Sequence, residues 1–457
     1  MLFPTGAFAL FFAVVFVVHW TLVRRAPALH KAWLLAANLA FYSVFSTTLC
    51  ALLVALGLVA WALGPRVAPG APRARAWLWL GVAIALAWLG YFKYANFLIQ
   101  EVAARLADVF GLGPPALLEI LLPVGISFYC FQAISYLVDV HRGAVPAARG
   151  PLDVLVYLTF FPHLSAGPIV RAAHFLPQLA TPPDPRRIPV LMALILILGG
   201  LFKKMILANE IGVGIVDPVF RNPGAYGTVD TALAIYGYAI QIWCDFSAYS
   251  DMAIGIAALL GYHFPKNFDQ PYRANSLADF WHRWHISLSR FLRDYLYIPL
   301  GGSRFGSVAT MRNLFLTMLL GGIWHGAAWT FVLWGALHGA ALAVERALGR
   351  GLGWFLTFHV VVALFALFRA PDLGSLAAMA SGLLNWSIGP EQATPWLALL
   401  CALGLGLHFL PPDLRQRVEA ALRRWPAPAL GLAAGIVLVL ILRTGPEGVA
   451  PFIYFQF

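Results

Sequence analysis

The chain has 457 residues, of which 61% are hydrophobic and only 11% are charged. Its mean hydropathy is +0.77. Soluble proteins carry roughly a quarter charged residues, and disordered chains contain few aromatic residues, whereas this chain has 33 Phe, 16 Trp and 15 Tyr. The composition excludes an ordinary soluble protein and a disordered chain. It predicts an all-α fold, a polytopic bundle of transmembrane helices.

The formal net charge is +11, from 31 Lys and Arg against 20 Asp and Glu. The basic residues form short runs between apolar segments, as the positive-inside rule predicts for cytoplasmic loops. We therefore expect a lipid bilayer, and no nucleic acid, as the partner of this surface. The four cysteines are far apart in apolar stretches, which argues against a disulfide framework or a CxxC metal site; they are Cys50, Cys130, Cys244 and Cys401.

The first apolar run, Ala7 to Val23, is followed by Arg24 and Arg25 and preceded by no basic residue. This is the reverse of a secretory signal, and it predicts an uncleaved first span with the N-terminus outside the cytoplasm. At about twenty residues per crossing, the apolar runs amount to roughly ten to twelve spans in a single domain, residues 1–457. These later runs are residues 32–63, 77–98, 116–139, 188–213, 229–261, 312–345, 352–370, 393–410 and 427–442.

Residues 153–179 are apolar but are interrupted by Pro162, Gly167, Pro168 and Pro177. Non-helical backbone at membrane depth is tolerated only where protein buries it or where it lines a cavity. The segment is therefore predicted to be re-entrant.

Residues 275–299 read as one amphipathic helix at the cytoplasmic interface, beginning at a capping-box-like pair, Ser276 and Asp279. Its periodicity separates an aromatic face from a basic one, with His285 at the boundary. Two interpretations stay open: the helix anchors the protein to the membrane surface, or its basic face lines the entrance for an anionic substrate. The basic face carries His282, Arg283, Arg290 and Arg293.

His282 and His285 form an HxxH pair, which can belong to a metal site. A zinc site needs a third protein ligand, and no candidate follows closely in the sequence. We therefore predict no metal site.

His325 lies in a run without a charged residue between Arg312 and Glu345, in the context Gly-Gly-Ile-Trp-His-Gly. The glycines allow close backbone approach and a helix break. A lone histidine often has a packing role, but an ionisable residue at this depth indicates function, and a neutral imidazole suits a general base. His338, thirteen residues later, is expected to support it.

The apolar run 229–261 contains Asp245 and Asp251. Carboxylates inside a membrane must be paired or face water. We expect either one to form a buried pair with an Arg or His of another segment and to have a supporting rather than a chemical role.

Several long motifs occur together in order, and with them the sequence resembles membrane-bound O-acyltransferases, in the bacterial branch of alginate and peptidoglycan O-acetyltransferases. The motifs are LGYFKYANF (89–97), LLPVGISFYCFQAISYLVDVHRG (121–143), FFPHLSAGPIVR (160–171), FKK (202–204), DFSAYSDMAIGIA (245–257), FPKNFDQPY (264–272), DFWHRWHISLSRFLRDYLYIPLGG (279–302), GGIWHGAAWTFVLWGALHG (321–339) and the terminal PFIYFQF.

The resemblance implies a ring of about eleven spans around a funnel, with re-entrant and interfacial helices. By its motifs His325 is the catalytic base, and His285 is a second histidine that supports catalysis in the same tunnel. We expect tunnel-lining or supporting roles for five more residues, His338, Trp324, Asp245, Ser289 and Asn313.

The resemblance also implies an acetyltransferase of the bacterial inner membrane that takes acetyl groups from a cytoplasmic thioester, acetyl-CoA or an acylated carrier protein. No bound cofactor is expected. An extracytoplasmic esterase-like partner of the SGNH type completes transfer to a polysaccharide in such systems. A teichoic acid D-alanyltransferase is the nearest alternative, and a proton-coupled transporter or flippase is the alternative from another class.

Tyr454, in the terminal PFIYFQF, has two interpretations. Related acylation systems use a C-terminal tyrosine as an acyl carrier, and a phenol near a chain end can be activated by a base. Tyrosine is also common in the aromatic belt at the membrane interface.

Overall fold

The computed structural model describes residues 3–444, which form helices and loops and contain no β-strand. The predicted all-α membrane fold is confirmed. The described residues divide into two compact units. The first unit comprises the chain up to Ile188 together with Ala257–Phe264, and the second comprises Pro189–Ile256 and the chain from Pro265 onwards. A single domain over residues 1–457 stays a prediction.

The first unit begins with long apolar helices, two of which, α1 and α3, are capped at their N-termini by hydroxyl side chains. Thr5 accepts a hydrogen bond from the backbone of Phe8 at 3.2 Å, and Ser46 accepts one from Leu49 at 3.3 Å. The helices of this unit are α1 Gly6–Arg25, α2 His30–Ser43, α3 Thr47–Val67, α4 Ala74–Leu98, α5 Ala104–Val109, α6 Ile126–His141, α7 Pro151–Thr159, α8 Phe161–Leu164 and α9 Ala172–Leu179.

The segment 153–179 is broken into α7, α8 and α9, with the breaks before Pro162 and around Gly167 and Pro168 as the sequence predicts; the interruption expected at Pro177 is wrong, because this residue lies inside α9. Every residue from 154 to 170 is buried. The irregular backbone is held from inside the protein: Asn38 accepts a hydrogen bond from the Phe161 amide at 3.1 Å, and His163 Nε2 donates one to the Tyr157 carbonyl at 2.9 Å. The broken helix of this segment is therefore surrounded by protein, as irregular backbone at membrane depth requires, and its re-entry into a bilayer stays a prediction.

The second unit contains the longest helix and the segments that carry the predicted chemistry. Two π-helical stretches, Lys203–Ala208 and Gly212–Val216, separate its first three helices. The helices are α10 Val190–Phe202, α11 Asn209–Ile211, α12 Asp217–Arg221, α13 Thr228–Leu259, whose last residues belong to the first unit, α14 Leu277–Arg283, α15 Ile286–Leu292, α16 Gly306–His325, α17 Trp329–Leu348, α18 Trp354–Arg369, α19 Leu373–Leu383, α20 Pro395–Gly406, α21 Leu414–Leu422 and α22 Ala427–Thr444.

Within residues 3–444, six helices are long and apolar enough to cross a membrane, or seven if a pair bent by 88° counts as one span. This count, made by length and composition, is lower than the ten to twelve spans predicted from the sequence, because several apolar runs form shorter or more polar helices. The ring and the funnel stay predictions. The six are Gly6–Arg25, Thr47–Val67, Ala74–Val109, Val190–Arg221, Trp329–Leu348 and Ala427–Thr444, and the bent pair is Pro395–Phe409 with Leu414–Leu422.

Helices α16 and α17 form a hairpin whose backbones touch at glycines. A Cβ atom on Gly322 would lie 2.7 Å from Cα of Gly335, and one on Gly339 would lie 2.8 Å from Cα of Phe315. Side chains larger than hydrogen cannot occupy these positions without moving the backbone. Because α16 ends at His325, this contact fixes where that histidine lies relative to α17.

Gly322→Ala is expected to lower the free energy of unfolding by about 1–3 kcal/mol, since the added methyl group meets backbone atoms that cannot rotate away. The measurement is denaturation of the purified protein in detergent. Gly90→Ala is the control, because a Cβ there meets open space. Equal stability of the two variants would show that the hairpin contact is not tight.

Candidate active site

His325 is the last residue of α16, and the helix stops there because Gly326 adopts an extended conformation (φ −167°, ψ 161°). The predicted helix break is thus confirmed. The imidazole is 4% exposed. Aromatic rings surround it, with centroid distances of 5.0 Å to Trp324, 5.1 Å to Trp334 and 5.3 Å to Phe368. His325 therefore lies inside the protein and not on its surface.

His338 is brought into the same cluster by α17. It is 1% exposed, and its ring lies 4.6 Å from that of Trp334 and 5.2 Å from that of Trp281. Trp334 thus contacts both His325 and His338. The expected association of His338 and Trp324 with His325 is present, whereas sequence reasoning overlooked Trp334, whose i+4 spacing to His338 on one helix was an available signal.

The prediction of one continuous amphipathic helix over residues 275–299 is wrong. Ser276 does cap the start, accepting a hydrogen bond from the Asp279 amide at 2.9 Å. The helix then breaks at Trp284 and His285, because His285 has a left-handed backbone (φ 41°, ψ 54°) and begins α15. A positive φ in a residue other than glycine is uncommon and is typical of functional or strained positions.

Asn267 holds this break in place. Its side-chain oxygen accepts hydrogen bonds from the backbone amide and the hydroxyl of Ser287, at 3.1 and 2.8 Å, and from Nδ1 of His285 at 3.2 Å. Its amide nitrogen donates to Ser250 at 3.0 Å. His285 is fully buried and packs edge-on against Phe246 at 4.5 Å. The left-handed turn and its hydrogen bonds hold this imidazole in a fixed position. The regular apolar spacing of residues 275–299 gave no sign of the turn.

Two of the predicted supporting residues have local contacts. The Ser289 hydroxyl donates to the Trp284 carbonyl at 3.2 Å, across the break before α15. Asn313 is buried in α16, donates to the Gly302 carbonyl at 2.9 Å and accepts from Arg312. These bonds support the turns that lead into α15 and α16.

The basic residues of the segment are distributed over both helices and the π-helical stretch Arg293–Tyr297 that follows α15. His282 and Arg290 are exposed. Arg283 donates to Asp279 at 2.8 Å, and Arg293 donates to its neighbour Asp294 at 2.6 Å, so two of the three arginines are paired locally with a carboxylate. The expected donor entrance at this face stays a prediction.

His282 and His285 do not share a site. His282 is exposed and donates from Nδ1 to the Ala278 carbonyl at 2.7 Å, whereas His285 is buried beyond the helix break. Among the described residues, no three His, Cys, Asp or Glu side chains are placed to hold a metal ion.

Two buried ion pairs lie on α13 and the π-helical stretch that follows α10. Asp245 pairs with Lys204 at 2.8 Å, both side chains being less than 5% exposed. Asp251 pairs with Lys203 and with Arg415, each at 2.7 Å. The predicted buried pairing is present, but both carboxylates bind lysines, and the arginine is a second partner of Asp251.

Sequence reasoning gave no role to these lysines. The available signal was the presence of two adjacent cations at residues 203–204 inside an apolar run, which requires counter-charges from another segment. Lys203 also donates to Ser247 at 2.7 Å. Since a buried charge is tolerated only when paired and hydrogen-bonded, these contacts fix the helices on which they lie.

The sequence profile of the membrane-bound O-acyltransferase family matches residues 147–364, a range that contains every histidine discussed above. The chain is 38% identical to a probable alginate O-acetylase of Pseudomonas putida, over the whole of both chains. The chain belongs to the membrane-bound O-acyltransferase family.

Two further relatives show how similar the chain is to other branches of the family. The acyltransferase is 33% identical to a peptidoglycan O-acetyltransferase of Helicobacter pylori, over 84% of this chain and 80% of that one. It is 26% identical to a teichoic acid D-alanyltransferase of Streptococcus thermophilus, over 56% of this chain and 69% of that one. The resemblance to the acetylating branch is thus the more extensive one.

Lys204→Met or Asp245→Leu alone is expected to destabilise the acyltransferase by about 3–5 kcal/mol, because each leaves the partner buried without its counter-charge. The double variant should recover at least half of that loss. Unfolding in detergent measures all three. Arg105→Met, in an exposed pair with Glu101, is the control and should change stability by at most about 1 kcal/mol. A double variant as unstable as the sum of the singles would contradict the pairing.

Proposed function

We propose that the chain is an O-acetyltransferase that passes an acetyl group from a cytoplasmic thioester across the inner membrane for O-acetylation of an extracytoplasmic polysaccharide. The donor is acetyl-CoA or an acylated carrier protein. The acceptor resembles alginate or peptidoglycan, the polymers that the relatives' names specify.

The observation that carries the proposal is the position of His325. The imidazole lies at a helix end inside an aromatic cluster, in a chain whose full length matches an O-acetylase. An ionisable side chain inside a membrane protein is costly to bury and is therefore rarely found without a function. Water is scarce in such a site, so the reactive acyl group is protected from hydrolysis.

In the proposed step, an acceptor hydroxyl attacks the thioester carbonyl carbon, and His325 takes the hydroxyl proton as the new C–O bond forms. The carbonyl electron pair moves to its oxygen. The intermediate then collapses, the C–S bond breaks, and the thiolate leaves with the proton from His325. The acetyl group has moved from the thioester sulfur to the acceptor oxygen, and the proton has moved from that oxygen to the thiolate. His285, fixed by Asn267, supports the reacting groups in the tunnel.

The donor is expected to approach from the cytoplasm, where basic loops attract the phosphates of CoA. Arg290 and His282, which are exposed, are the residues that we propose for this surface. In the same orientation the N-terminus lies outside the cytoplasm, because Arg24 and Arg25 at the end of α1 favour the cytoplasmic side. An extracytoplasmic SGNH-type partner completes the transfer to the polymer.

Two experiments separate the rival functions. In the first, purified protein is incubated with labelled acetyl-CoA, with and without the esterase-like partner. Transfer of the label supports the acetyltransferase, whereas a teichoic acid D-alanyltransferase requires a D-alanyl carrier protein as donor. In proteoliposomes, a transporter moves substrate with protons and transfers no acyl group. Proton-coupled flux without acyl transfer would overturn the proposal.

His325→Ala and His325→Gln are each expected to reduce acetyl transfer at least 100-fold, since loss of a general base costs about 10²–10⁴-fold. The glutamine retains a polar side chain but cannot take the proton. Label transfer from the donor is measured together with the thermal midpoint and the amount of protein in the membrane. His359→Gln, at a half-buried position on α18 whose ring contacts Tyr236 and Phe355, is the control. A folded His325→Ala protein with a tenth of normal activity would exclude the base role.

Tyr454 lies outside the described residues, so the carrier hypothesis is tested by substitution alone. If the phenol carries the acetyl group, Tyr454→Phe abolishes acetylation of the polymer in cells and removes the acetyl label from the chain. Phenylalanine keeps the aromatic ring, so an interfacial role predicts that acetylation persists. Full acetylation by Tyr454→Phe would rule out the covalent relay and leave the role of His325 intact.

A further inference from the structure

Two buried tryptophans of the aromatic cluster around His325 and His338 have indole N–H groups without a partner among the described residues. Trp281 and Trp334 are 9% and 2% exposed, and their ring centroids are 5.8 Å apart. Among the described residues, neither Nε1 atom has a hydrogen-bond acceptor. An indole N–H can only donate, and buried donors are nearly always paired in folded proteins. Two such donors in one cluster indicate that a polar group from outside the chain binds there.

The two tryptophans belong to the same cluster of side chains as the proposed catalytic base. Trp334 contacts His325 at 5.1 Å, and both tryptophans contact His338. Nδ1 of His338 also has no partner in the described part of the chain. The three side chains come from α14 and α17, two helices that pack together. The polar atoms therefore belong to the neighbourhood of the proposed base and not to a separate region.

We propose that the Nε1–H groups of Trp281 and Trp334 bind the carbonyl oxygen of the acyl group during transfer. This inference rests on the proposed acetyltransferase function. When the acceptor oxygen attacks the carbonyl carbon, the C=O electron pair moves to this oxygen and His325 holds the acceptor's proton. The negative oxygen accepts from the two indoles, and its electron pair returns to re-form C=O as the thiolate leaves and takes the proton from His325. His338 contacts both indole rings and positions them.

Uncharged donors suit this task for a physical reason. Hydrogen bonds to a charged oxygen are about twice as strong as those to a neutral one, so the indoles stabilise the intermediate more than the bound thioester. Donors already fixed in a water-poor site need no rearrangement when the charge develops. Uncharged donors at the reacting carbonyl can therefore stabilise an oxyanion.

The test compares two ligands that differ at the carbonyl oxygen: acetyl-CoA and S-ethyl-CoA, a thioether that lacks it. The wild-type protein is expected to bind acetyl-CoA about fivefold more tightly, the ratio that one net hydrogen bond provides. Trp281→Phe and Trp334→Phe should each reduce this preference and lower kcat about 10²–10³-fold. Trp243→Phe is the matched control, because its Nε1 is also buried without a partner but its ring lies beside Lys203 and His408.

The outcomes separate the inference from the function. If acetyl-CoA is transferred while both ligands bind equally and the phenylalanine variants keep their kcat, the indoles do not bind the carbonyl and the acetyltransferase function stands. If neither ligand binds and no label is transferred, the proposed donor is wrong. Should a phenylalanine variant fail to fold, 3-benzothienylalanine at the same position keeps the ring shape and removes only the N–H, and the same loss of ligand preference is expected.

Discussion

The structure depends on the cost of placing polar groups in an apolar medium. A charge without a counter-charge is expensive inside a bilayer, and backbone without hydrogen bonds is excluded there. The second unit satisfies this constraint with lysine–carboxylate pairs that join α13 to the chain after α10. The broken segment 154–170 in the first unit satisfies it by complete burial in protein. In these two regions the departures from an apolar helix are matched by ion pairs or by burial.

The same constraint explains how the histidines are positioned. His325 ends a helix whose packing against α17 depends on glycines, and His285 occupies a left-handed position supported by Asn267. Neither imidazole lies in the middle of a regular helix. Side chains at helix ends depend on neighbours from other segments, so small changes in packing are transmitted to them. Precise placement is what proton transfer at a reacting carbonyl requires.

Sequence analysis anticipated features that are local in the chain. The helix end at His325 follows from its glycines, and Ser276 is a recognisable cap. The breaks before Pro162 and around Gly167 and Pro168 follow from proline and glycine geometry, whereas Pro177 lies inside α9 without ending it. The break at His285 was missed, since the apolar spacing continues across it and a positive φ at histidine has no sequence signal. The partners of Asp245 and Asp251 lie 41 to 164 residues away, so a tertiary fold was needed to identify them.

The second unit treats charged and uncharged polar groups differently, and this difference bears on mechanism. Lys203 and Lys204 are paired with Asp251 and Asp245, which suits support and leaves little capacity for a proton pathway that must exchange partners. The donors of Trp281 and Trp334 remain open within the described residues, and they carry no charge. A ground-state carbonyl gains one ordinary hydrogen bond's worth of binding from such donors, whereas an oxyanion gains about twice as much. Binding that strengthens as charge develops accelerates the reaction itself, because only interactions stronger in the transition state lower the barrier.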